Sequence, residues 1–244
     1  SDAMDNEYNE EHPFIATEIP LDDKEVIELF HGTDVLGIKP EDIDGCKLGC
    51  LGIPEFGTDF VIQMVEDTKP QTLSDLIRIS GLSHGTNVWL GNAQELVKSG
   101  KATISTAICT RDDIMIYLIN KGVESALAFT IMESVRKGKG LKPEWEEAMT
   151  AQGVPDWYIW SCKKISYMFP KAHAAAYVMM AYRIAYCKIN YPLAYYAAYF
   201  SIRADAFTYE IMCQGKDKLN YYMQDYKKRS DSLSKKEQDV MKDM

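Results

Sequence analysis

The 244-residue sequence predicts a mainly α fold with at most short β segments near residues 35–55, and three observations carry that expectation. From Thr58 onward apolar residues recur at the spacing of one helix face, as in Leu73, Leu76, Ile77 and Ile79. The two stretches that could run extended, residues 35–38 and 49–54, are short and bounded by Gly or Pro. No internal repeat of a solenoid or propeller is visible.

The elements follow in order. Residues 1–4 look like an expression scar ahead of Asp5, with neither the basic nor the apolar region of a signal peptide. Residues 5–20 are an acidic lead-in broken by Pro13 and Pro20. Asp22 or Asp23 caps a helix carrying Val26, Ile27, Leu29 and Phe30, which Gly32 stops. Phe60, Met64 and Val65 mark the next helix. Further helices are expected at about 92–98, 111–121, 124–137, 143–152 and 155–168. The best signal covers 171–189, with shorter helices at 192–200, 207–213 and 216–243. The polar end after Lys227 closes with no apolar segment, as though a longer polypeptide were cut there.

Charge and composition narrow the function classes. No run reaches the roughly 18–20 uncharged apolar residues of a membrane span. Six irregularly spaced cysteines fit a reducing cytoplasm better than a disulfide scaffold. Residues 1–28 carry ten acids against Lys24 alone, which accounts for the whole net charge of −9. Residues 136–188 hold nine bases and four acids, the footprint a polyphosphate or DNA backbone favours and also that of a solvated helix face. An acidic start docking a basic partner would make the chain a helical interaction module, the rival reading.

Three segments could carry chemistry. Ser80-Gly81-Leu82-Ser83-His84-Gly85-Thr86 reads as a donor-rich turn that directs N–H groups and His84 at an anion, or as an N-cap at Ser83 or Thr86. Arg136-Lys137-Gly138-Lys139-Gly140 ends a helix in a basic loop, which fits a phosphate clasp or the helix dipole equally. Lys171 follows Pro170 in a first helical turn, where the dipole disfavours a cation. His173 and Tyr177 share a face there among small alanines, so the segment is either a site open to a bulky ligand or a tightly packed core helix. No paired carboxylates of a two-metal centre are evident. Cys109 and Cys162 with a nearby acid are a weak zinc candidate, and buried free thiols are the commoner arrangement.

Three landmarks, in order between about Glu18 and Asp205, resemble the fingers region of the PolC-type DNA polymerase III α chains, bacterial family C replicative polymerases. They are Ile79-Ser80-Gly81-Leu82-Ser83-His84-Gly85-Thr86 with Trp89-Leu90-Gly91-Asn92-Ala93, then Ser134-Val135-Arg136-Lys137-Gly138-Lys139-Gly140, and Phe169-Pro170-Lys171-Ala172-His173-Ala174-Ala175-Ala176-Tyr177. The third is similar to the Phe-x-Lys-Ser/Ala-His-x-Ala-Tyr signature of family C. The resemblance implies a multi-helix fingers domain over 21–205 and the start of the following duplex-binding region over 206–244. It implies a DNA-directed DNA polymerase, a nucleotidyltransferase of DNA replication, with dNTP and primer-template DNA as substrates. Mg²⁺ would sit on palm aspartates this chain lacks, so the isolated chain would be inactive. Other domains of the polymerase chain, including a proofreading exonuclease, the sliding clamp and the replisome would be its partners. On this resemblance Lys171 and His173 meet the triphosphate, Tyr177 the sugar or base, and Phe169, Ser80, Ser83 and His84 the facing wall. Arg136, Lys137, Lys139 and Arg183 contact triphosphate or template phosphate.

Overall fold

Side-chain caps start about half of the helices that the periodicity predicts. The computed structural model describes residues 14–244, so the expected scar and most of the acidic lead-in lie outside the described residues. Thirteen α-helices and no β-strand occur among them. Asp23 accepts from the N–H groups of Glu25 and Val26 and opens α1 (Lys24–Glu28). Near residues 35–55, where at most short β segments were expected, the chain makes 3₁₀ turns at Asp34–Leu36 and Pro40–Ile43. No neighbouring strand pairs with this segment. The carbonyls of Gly49 and Leu51 instead accept from Lys188 Nζ at 2.8 and 2.6 Å.

Thr58 caps α2 (Asp59–Thr68), and a Thr72–Asp75 capping box opens α3 (Leu73–His84). A kinked turn leads into α4 (Gln94–Lys98). A Thr110–Asp113 box opens α5 (Arg111–Asn120), and Glu124 caps α6 (Ser125–Arg136). Pro143 starts α7 (Pro143–Ala151). Then α8 (Asp156–Lys164) stops short of the expected 168, because residues 165–169 leave the helix and one of them pairs with Thr86. The long α9 (Lys171–Asn190) matches its signal closely. After it come α10 (Pro192–Ala198), α11 (Tyr209–Met212), α12 (Lys216–Lys228) and α13 (Lys235–Asp243). The single helix expected over 216–243 is split at 229–234, where Ser234 and Glu237 form a new capping box.

The chain divides into two compact units, residues 15–189 and 190–244 with Phe14. In the larger, Phe30 meets Phe56 edge to face at 5.0 Å, and Tyr158 stacks on Tyr117 at 4.1 Å. Leu76, Ile79 and Leu82 of α3 and Val178, Ala181 and Ala185 of α9 are fully buried. The smaller unit closes its own core with Ile211, Tyr226, Leu233 and Val240.

Buried Lys188 gives one measurable consequence. Burial pushes its ammonium down to about 8 from an ordinary value of 10.5. Between those two values the unfolded chain binds a proton that the fold has released, so stability rises with pH through that window. The stability advantage of the native chain over Lys188→Met is therefore expected to grow between pH 8 and 10 in denaturant unfolding. A flat difference would mean that the ammonium stays charged in the fold.

Candidate functional site

Helix α3 continues through Ser80, Ser83 and His84, so the donor-rich turn expected there does not form. Its N–H groups serve the helix and none is presented to an anion as a nest. Ser80 is buried, and its carbonyl accepts from Ser83 Oγ at 3.0 Å and from His84 Nδ1 at 2.7 Å. The other ring nitrogen of His84, Nε2, lies 2.9 Å from Glu55 Oε2. Neither Ser83 nor Thr86 caps a following helix. Thr86 forms an antiparallel bridge with Tyr167, its N–H donating to the Tyr167 carbonyl at 2.9 Å. A Cβ on Gly85 would stand 2.9 Å from that same carbonyl, which is why the crossing needs glycine.

The basic end of α6 is pinned to the same crossing. The Arg136 carbonyl accepts from the Met168 N–H at 3.2 Å, and Gly138, at φ +69, packs where a Cβ would lie 2.5 Å from the Ser166 carbonyl oxygen. Glu133 takes both Arg136 (2.5 Å) and Lys137 (2.9 Å). Those two bonds hold the Glu133 carboxyl down at about 2. Two of the loop's cations thus have an internal partner, while Lys139 is exposed without an ion pair among the described residues.

Residues 167–177 bring the first and third landmarks together. The Phe169 carbonyl accepts from the Arg111 N–H at 3.2 Å, and Asp112 Oδ2 accepts from the Lys171 N–H at 2.7 Å, capping α9 from another helix. The Phe169 ring meets His84 edge to face at 5.7 Å and Tyr167 at 5.2 Å, and stacks on His173 at 5.1 Å. His173 in turn meets Tyr177 at 4.7 Å. The result is one run of rings, His84–Phe169–His173–Tyr177, of which His84, His173 and Tyr177 are solvent-exposed. His173 is therefore not a core histidine. Ala172 and Ala176 beside it are exposed, and Ala174 turns into the core.

The cations expected beside these rings are less convergent. Lys171 is two residues from His173, about 200° around the helix, and leaves from the other flank near buried Cys109. Arg183 is half-buried, its Nε enclosed without a hydrogen-bond partner, and it lies off the Tyr177 face.

The weak zinc candidate at Cys109 and Cys162 gains no third ligand among the described residues. Both thiols are fully buried, and burial pushes both upward. Cys109 Sγ donates to the Ala107 carbonyl at 3.4 Å, and no group of three ligating side chains could hold a metal among the described residues. Glu55 and Asp112 are the contributors that sequence reasoning missed. Asp112 is one of two adjacent acids in the first turn of α5, where an acid serves its own helix, and nothing in Pro54-Glu55-Phe56-Gly57 signals an ion pair 29 residues away.

Comparison with known proteins bears on all of this. Residues 2–155 match the family model of the bacterial DNA polymerase III alpha subunit finger domain. The "DNA polymerase III PolC-type" of Bacillus subtilis (strain 168) is 60% identical over 223 residues, covering 91% of this chain and 15% of that protein. Its namesake in Bacillus cereus is 62% identical over 197 residues, covering 81% of this chain and 14% of that protein. The Listeria monocytogenes namesake is 59% identical over 223 residues, again 91% and 15%. The chain thus spans about 15% of the length of the curated relatives it matches. No helix among the described residues is long and apolar enough to cross a membrane.

Proposed function

This chain belongs to the bacterial DNA polymerase III alpha subunit finger domain family, and from that premise we propose that it forms the dNTP-facing finger of a DNA-directed DNA polymerase. The observation that carries the reading is the Phe169 ring, which joins the end of α3 at His84 to His173 and Tyr177 on α9. Two landmarks 85 residues apart thereby make one exposed surface of stacked aromatic and imidazole groups. Such a surface suits the sugar and base of an incoming nucleotide, since ring stacking is tolerant of base identity.

In this reading Tyr177 and Phe169 meet the sugar or base, while His173 and Lys171 approach the triphosphate from opposite flanks of the first turn of α9. His84 forms the facing wall with Ser83 beside it. Ser80 contributes its carbonyl, which holds the His84 ring, rather than its buried hydroxyl. Lys139 is the loop cation most open to a triphosphate or template phosphate, with Arg136 and Lys137 behind it and Arg183 further along. Phosphoryl transfer relies on positioning and charge neutralisation, which such groups supply without forming bonds to the substrate.

The metal-binding aspartates and Mg²⁺ would belong to the palm of the longer polymerase, in the cytoplasm, so the segment alone would not polymerise. Residues 21–205 would be the finger and 206–244 the start of the duplex-binding region. Primer-template DNA, the sliding clamp and the replisome would be partners of the whole chain.

In a full-length polymerase carrying this segment, Lys171→Ala is expected to raise KM for every dNTP about tenfold, a loss near 1.4 kcal/mol of nucleotide binding. Steady-state kinetics with all four dNTPs checks this. An unchanged kcat/KM would remove Lys171 from the site.

A further inference from the structure

The loop before α2 holds a side chain that the nucleotide reading does not yet use. Glu55 has φ +71, the left-handed region. Four described residues other than glycine share a positive φ. Asp44 and Asn87 are types that tolerate it, and Lys69 sits at the C-terminal end of α2, a usual place for it. Glu55 has neither excuse, and a side chain in that conformation is strained relative to glycine. Its carboxylate atom Oε2 is buried without a hydrogen bond of good geometry, and lies 2.9 Å from His84 Nε2.

The opposite ring nitrogen of His84 lies 2.7 Å from the Ser80 carbonyl, so the imidazole sits between that carbonyl and the Glu55 carboxylate. Between those two neighbours its ring plane stands 74° to that of Phe169. We propose that Glu55 is a positioning residue for nucleotide binding, acting through His84 to set the wall against which Phe169, and hence His173 and Tyr177, are ordered. The inference rests on the nucleotide reading above and adds to it a residue outside the three landmarks.

The test exploits the backbone. Glu55→Gly removes the carboxylate while placing at φ +71 the residue that prefers it, so the fold should survive with a thermal midpoint close to the native one. In the full-length polymerase this variant is expected to raise KM for dNTPs about fivefold with kcat within about twofold, because a misaligned wall weakens binding before chemistry. Glu55→Gln, whose amide can donate or accept at the same reach, should restore KM to within about twofold of native. In a His84→Ala background, Glu55→Gly should add less than about twofold, since the effect runs through the missing ring.

An unchanged KM in Glu55→Gly, while Lys171→Ala raises it, would overturn the role of Glu55 and leave the nucleotide reading standing. Effects of Glu55→Gly and His84→Ala that multiply would overturn it as well. A lowered midpoint with KM unmoved would show the carboxylate to be a fold element only, and overturn it too. If neither Lys171→Ala nor Glu55→Gly moved KM, both readings would fall.

Discussion

Gly81→Ala is expected to destabilise the larger unit by about 2–3 kcal/mol, even though alanine is the better helix former by about 1 kcal/mol. The reason is what the new methyl would meet. A Cβ at position 81 would lie 2.6 Å from the Cys109 carbonyl oxygen and 2.8 Å from Thr110 Cγ2. That turn cannot move away cheaply, because Asp113 accepts the N–H groups of Cys109 and Thr110 at 3.1 and 2.8 Å in the capping box of α5. Helix α3 must therefore shift, and His84 sits one turn further along it. Denaturant unfolding at neutral pH measures the loss. A variant as stable as the native chain would mean that α3 and the Cys109–Thr110 turn do not touch as described.

Phe169→Ala is expected to have the largest effect on nucleotide binding of any single change in this segment, with KM for dNTPs rising well beyond tenfold. Phe169 meets three rings, Tyr167, His84 and His173, and each such pair is worth about 0.5–1.5 kcal/mol. Its backbone stays tethered, since the carbonyl accepts from the Arg111 N–H at 3.2 Å and the neighbouring Met168 side chain is fully buried. The side chain itself is only half-buried. Removing it should therefore release His173 and, through it, Tyr177, with a stability loss of its own from the three ring contacts. Steady-state kinetics beside a thermal melt separates the two effects. A KM within twofold of native would contradict the placing of these rings at the nucleotide.

Particular residues show why much of this was legible in the sequence and some was not. Helix α9 declares itself through Pro170 and a long periodic run, and its observed limits agree with the pattern. The capping boxes at Thr72–Asp75 and Thr110–Asp113 are local events of four residues and need no tertiary information. The short segments near 35–55 read either way in the sequence because Gly and Pro bound strands and turns alike. At Gly49 and Leu51 the carbonyls go to Lys188, some 137 residues away, a partner no local pattern announces.

The same distinction runs through the site. His173 and Tyr177 share a face by spacing alone, and that part was legible. Lys171 was expected to converge with them, yet a two-residue offset turns it to the other flank. The serine–histidine segment suggested a turn because Ser, Gly and Thr favour turns in isolation, whereas packing on the Cys109–Thr110 turn keeps Gly81 inside a helix. Partners such as Glu55 and Asp112 are set by tertiary contact and leave no local mark.

The most direct measurement is photo-crosslinking of a dNTP carrying a photoreactive group on its base to the full-length polymerase with primer-template DNA, followed by mapping of the labelled peptides. The account predicts that, within this segment, label concentrates on residues 167–177 and on His84, and that Phe169→Ala abolishes it. Label confined to α7 and α8, or none anywhere in this segment while the polymerase is active, would contradict it.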